Sequence, residues 1–87
     1  MSPLGMDTDQ IRRLSKVMGT ESQAIEAASK RLDSQLASAW WEGKDAGQFK
    51  SEWEGHRATL RDIATKLQAA SRKLDKNAQE QDSASNA

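Results

Sequence analysis

Trp40-Trp41-Glu42-Gly43-Lys44-Asp45-Ala46-Gly47 lies near the centre of the chain and interrupts two long hydrophobic patterns. Gly43 can adopt the left-handed conformation that ends a helix. Asp45, with Gln48 three residues later, has the spacing of a capping box for a second helix. So short a connection makes the flanking helices antiparallel neighbours. Upstream, Ile11, Met18, Ile25, Leu32 and Ala39 recur every seven residues, with Leu14, Ala28 and Leu36 on the same side. That is one apolar stripe on a long helix. Asp7-Thr8-Asp9-Gln10 supplies its start, Asp7 accepting from the first free amides. Gly19, and a second box-like run from Thr20 to Gln23, fall inside it. The stripe keeps its phase from Met18 to Ile25, which predicts an unbroken helix softened by glycine's helix cost of about 1 kcal/mol.

Downstream, Phe49, Trp53, His56, Leu60, Ile63, Leu67, Ala70 and Leu74 alternate spacings of four and three. This is the seam spacing of a left-handed helix pair. The predicted fold is therefore all-α, an antiparallel two-helix hairpin over residues 7–81. Helix 1 is expected over about 8–40, the turn over about 41–44 and helix 2 over about 45–80, with a flexible tail at 1–6 and a polar, disordered one at 82–87. Asp62 and Lys66 form an i,i+4 pair of the favourable order on a solvated face.

Composition agrees and excludes much else. The chain has 87 residues, enough for one small domain, with 13 Lys+Arg against 13 Asp+Glu, no Cys, no Tyr, one His and three Trp. Ala, Gln, Lys, Glu, Leu and Ser favour helix, whereas Val, Ile, Thr and Phe are scarce. Without Cys there is no disulfide, thiol nucleophile or thiolate metal site, and a lone histidine builds no multi-histidine centre. Balanced charge offers no basic surface to nucleic acid. No apolar run approaches the roughly 18 to 20 residues that span a bilayer, so no stable membrane insertion is expected. The first six residues lack the basic and apolar regions of a secretory signal peptide. No cofactor and no catalytic constellation is expected: no Ser-His-acid arrangement, no phosphate-cradling glycine loop and no marked cleft of carboxylates.

Function is therefore sought in binding. A lone hairpin leaves the flanks of both stripes wet, and Val17, Ala24, Ala58 and Ala64 widen them. Two hairpins side by side form a four-helix bundle that covers them. The candidate helix–helix and dimer seam is Ile11, Leu14, Met18, Ile25, Leu32, Leu36, His56, Leu60, Ile63, Leu67 and Leu74. Trp40, Trp41, Phe49 and Trp53 cluster at the turn, either as a plug closing the bundle or with one Trp exposed to dock a partner. His56, on the seam, reads as a neutral interface histidine; a pH switch is the alternative.

The run from Leu36 to Trp53 resembles the WXG family of small helical-hairpin proteins, typified by the early secreted antigenic target of mycobacteria. Trp41-Glu42-Gly43 stands as the Trp-x-Gly element, Phe49 as the aromatic eight positions after the Trp, and Trp53 where many members carry a large apolar residue. The resemblance covers about residues 7–81. It implies homodimers, or heterodimers with a sister WXG protein, forming four-helix bundles. It also implies a substrate or adaptor role in type VII (ESX-type) secretion of actinobacteria and firmicutes, with export in folded form and no cleaved signal peptide. By that analogy Trp41, Glu42 and Gly43 form the turn motif for partner recognition, with the secretion ATPase or a larger effector as further partners. One departure stands out. The family's export signal after helix 2 is a Tyr followed four positions later by an acid, and this chain has no Tyr. Retention in the cytoplasm, as a coiled-coil escort for a larger effector, is the competing expectation. A membrane-active amphipathic protein is a third, opposed by the zero net charge.

Overall fold

Two helices account for nearly the whole chain: α1, Thr8–Ser38, and α2, Lys44–Asn86. The computed structural model describes residues 5–86, so residues 1–4 of the expected N-terminal tail, and Ala87, lie outside the described residues. No strand occurs among the described residues. The expected all-α hairpin is the observed fold. Its extents are 66 × 16 × 15 Å, and the long dimension matches the ~64 Å of a straight 43-residue helix at 1.5 Å per residue.

α1 starts where Asp7 holds an extended backbone (φ −89°, ψ 104°) and its side chain accepts from the amides of Asp9 at 3.1 Å and Gln10 at 3.2 Å. Those are two of the amides a helix start leaves without intrahelical acceptors. α1 continues through Gly19 without a break. It stops at Ser38, two residues before the expected end, because Ala39 turns to an extended conformation (φ −74°, ψ 128°) while its amide still donates to Gln35 O at 3.0 Å. Gly43 therefore does not terminate α1. It stands immediately before α2 with φ +106°, and its carbonyl accepts the amide of Gly47 at 3.1 Å. The positive φ that a glycine tolerates is used to enter the second helix rather than to leave the first. Asp45 lies in the first turn of α2, not at its cap.

α2 also runs past its expected end. Residues expected to form a disordered tail continue the helix to Asn86. Two contacts account for it: Ala78 is fully buried, and Asp82 accepts from Arg12 Nη2 near the start of α1. The Asp62–Lys66 pair forms on α2 at 2.9 Å and is well exposed.

The contact between the helices differs in kind from the expected seam. The buried residues of α1 are Ser15, Ser22 and Ser29, seven apart. On α2, Ser71 lies opposite Ser15 and Ala64 opposite Ser22; with Ala78 they are also seven apart, and the two alanines are fully buried. Ser15 Oγ donates to Ser71 O at 2.8 Å, Ser71 Oγ donates to Ser15 O at 2.8 Å, and Ser22 Oγ donates to Ala64 O at 2.6 Å. The two hydroxyls of Ser15 and Ser71 also lie 2.9 Å apart. Each has one proton, so the reciprocal bonds to carbonyls use both. Small side chains let two helices approach closely, and the serine hydroxyls then reach the facing backbone.

Candidate functional site

The serine–alanine contact decides where the large apolar side chains go. Met18, Ile25 and Leu32 each follow a seam serine by three positions. Leu60, Leu67 and Leu74 each precede a seam residue by four. At about 100° per residue, three forward and four back point the same way round a helix. In an antiparallel pair, equal rotations on the two helices lie on the same side of the contact. Both stripes therefore share one face of the hairpin. The opposite face carries Glu26, Asp33, Gln68, Asp75 and Asp82, each four positions after a seam residue.

Burial agrees with this placement. Leu14, Leu32 and Ile63 are exposed, whereas Ile11, Met18, Ile25, Leu36, Leu60, Leu67 and Leu74 are half-buried. None of them is fully covered by the partner helix. His56 is exposed on the same face rather than held between the helices, because it lies about 100° round α2 from Arg57, which faces Asp33 of α1. Val17 is also exposed, which widens the apolar surface of α1.

At the turn the face ends in aromatics. Trp41 and Phe49 pack with ring centroids 5.5 Å apart and planes tilted by 49°. They remain 40% and 47% exposed, and Trp40 is 87% exposed. Trp40 is thus not part of any plug within the single hairpin. Glu42 is exposed beside Gly43. Trp53 points across to α1, where its Nε1 donates to Asp33 Oδ1 at 2.6 Å. Arg57 Nη1 donates to the same oxygen at 3.3 Å. The pairs 15–71, 22–64 and 33–53 all have residue numbers that add to 86. Asp33 and Trp53 thus continue the register of the serine seam up to the turn.

Sequence reading did not single out Asp33, Arg57 or the serine seam. The signal was present in the seven-residue spacing of Ser15, Ser22 and Ser29 and of Ala64, Ser71 and Ala78. It is a spacing of small residues and leaves no mark in a hydrophobic pattern.

Large apolar and aromatic side chains on this surface are exposed or half-buried. No group of three or more His, Cys, Asp or Glu side chains that could hold a metal ion occurs among the described residues. Among the same residues no helix is long and apolar enough to cross a membrane. A groove of about 310 Å³ between the helices is lined by charges of both signs, Glu26, Lys30, Asp33 and Arg61 among them. At the far end, the Arg12 guanidinium and the Thr8 hydroxyl hold the carboxyl of Asp82 below the usual carboxylate range.

The turn between the two helices carries a Trp-x-Gly element, Trp41-Glu42-Gly43, and a family described as proteins of 100 residues with WXG matches residues 3–84. The chain belongs to the WXG100 family. No curated protein and no solved structure matches the chain. WXG100 proteins are small, non-enzymatic helical proteins of type VII secretion, and they generally form dimers.

Proposed function

We propose that this WXG100 protein is a substrate or adaptor of type VII secretion that acts by dimerising and by presenting its turn to other proteins. The observation that carries the reading is the one-sided apolar face. The buried part of the helix contact is made of serines and alanines, so the large apolar residues of both helices stay exposed or half-buried on one side. Fully burying a Leu or Ile side chain contributes about 1.5–3 kcal/mol. A second hairpin laid on this face gains that from several residues at once and completes a four-helix bundle. Zero net charge sets no single-sign field against a second copy of the same chain, and a sister WXG100 chain is the other occupant. Trp41, Glu42 and Gly43, with the exposed Trp40 and the Trp41–Phe49 pair, form the recognition surface at the end of the bundle.

Export through the type VII machinery follows from this reading, either of the dimer itself or with a partner that carries the Tyr-containing signal. The absence of Tyr favours a second role, as an escort that stays in the cytoplasm with a larger effector. Sedimentation of the purified chain tests the dimer. A two-chain mass at micromolar concentration supports self-pairing, and a one-chain mass directs the search to a sister protein. Export from a host with and without its secretion ATPase tests the pathway. Trp41→Ala should lower export or partner binding while leaving the helix content within a few per cent. Unchanged export of that variant would remove the turn from the recognition surface.

A further inference from the structure

We propose that Asp33 is the positioning residue of the aromatic turn: by gripping Trp53 it sets the geometry in which Trp41 and Phe49 meet a partner. The proposal deepens the reading of the turn as a recognition surface and rests on it. The grip is directional. One carboxylate oxygen accepts the indole N–H of Trp53 at 2.6 Å and the guanidinium of Arg57 at 3.3 Å. Trp53 and Arg57 are four residues apart and so lie on adjacent turns of α2. A single group near the end of α1 thereby ties two turns of α2 just below the connection.

The connection needs such a tie. Trp40, Trp41 and Glu42 lie between the two helices and outside both of them. Trp41 packs on Phe49, and Phe49 is one turn before Trp53, where side chains at i and i+4 are neighbours. Aromatic residues thus lead from the turn down α2, and the last of them is fixed by the hydrogen bond to Asp33. Packing alone holds an indole loosely when its surroundings are half open. A half-buried N–H aimed at a carboxylate fixes the ring's rotation as well as its place. If the acceptor is removed, the indole N–H turns toward water, and the side chain one turn after Phe49 on the same side of α2 is no longer fixed.

The experiment uses the full chain labelled with ¹⁵N. Its three Trp residues provide three indole signals, and Trp53→Phe assigns one by its disappearance. Three further readouts accompany it: Trp41–Phe49 ring contacts by nuclear Overhauser effects, helicity, and self-association by sedimentation equilibrium. In the parent protein the Trp53 indole proton should exchange with solvent at least about tenfold more slowly than that of Trp40, as a charge-assisted hydrogen bond implies. Asp33→Leu should abolish that protection, erase the Trp41–Phe49 contacts and weaken association about tenfold. Asp33→Asn, which keeps an acceptor for the indole, should restore the contacts even with the Arg57 ion pair gone. Trp53→Phe, which keeps a ring and loses the donor, should reproduce the Asp33→Leu pattern.

Retention of the Trp41–Phe49 contacts in Asp33→Leu at parental helicity would overturn the proposal, since Asp33 would then be a stabiliser only. If Asp33→Leu fails to fold, Trp53→Phe decides, and intact turn contacts there overturn the proposal as well. A parent protein that sediments as one chain would defeat the self-pairing reading, while the ring contacts and indole exchange still read the action of Asp33 within the hairpin.

Discussion

Gly19 and Gly43 show how one residue type serves opposite ends. Gly19 is in the interior of α1, where a Cβ would meet only Ser71 Oγ at 3.6 Å, an ordinary contact. Gly19→Ala should therefore raise stability by about 0.5–1 kcal/mol, the helix cost of glycine, seen as a higher thermal midpoint at equal protein concentration. Gly43 has open space around it and φ +106°. Gly43→Ala meets no neighbour yet forces an L residue into that region, and it should lower stability by about 1–2 kcal/mol. Opposite shifts of the midpoint from two identical substitutions would show that backbone angle, not room, governs the second. At the same scale, the Ser15–Ser71 and Ser22–Ala64 hydrogen bonds satisfy hydroxyls that would otherwise be buried without partners.

Each helix depends on the other for its ends and its spacing. Ser22 has 1% exposure between the helices, so volume matters there more than polarity. Ser22→Ala removes one hydrogen bond and should cost about 1 kcal/mol or less. Ser22→Leu adds bulk with nowhere to go and should cost about 1–3 kcal/mol or more by pushing the helices apart. Denaturant midpoints of the two variants check the order, and a milder effect for Leu would mean that the seam is not close-packed. The last turns of α2 rely on Asp82, whose carboxyl is held below its usual range by Arg12 first and Thr8 next. A depressed carboxylate stabilises the folded state above its unfolded value, and that contribution is lost as pH falls through the folded one. Backbone chemical shifts of residues 79–84 should therefore move toward coil below about pH 4. Asp82→Asn should show the same fraying at neutral pH, with the seam around Ser22 unaffected.

Across the whole hairpin, the buried residues among those described are Ala46, Ala64, Ala78, Ser15, Ser22 and Ser29. No large apolar side chain among them is fully covered within one chain. Under the proposed dimer, most hydrophobic stabilisation is made between protomers. The thermal midpoint should then rise with protein concentration, by mass action. Ile63→Asp places a charge in the open apolar face and affects both protomers of a symmetric pair. It should raise the dissociation constant at least about a hundredfold, with the variant sedimenting as one chain. A concentration-independent midpoint would mean that the single hairpin is stable by itself.

The heptad stripes, the Trp-x-Gly interruption and the scarcity of β-formers were enough to specify two long antiparallel helices, because helix periodicity and the chemistry of helix starts are local. Asp7 as a cap and the unbroken passage through Gly19 are local in the same sense. The face on which those stripes lie was not local. The large residues were expected to fill the space between α1 and α2, yet serines and alanines fill it, and which residues face the partner helix depends on the register of two segments some fifty residues apart. For the same reason the helical end of α2, held by Arg12, and the grip of Asp33 on Trp53 appear only once α1 and α2 are side by side. Periodicity along one helix names a stripe. Only the packing of two helices decides whether that stripe faces its neighbour or remains open for another protein.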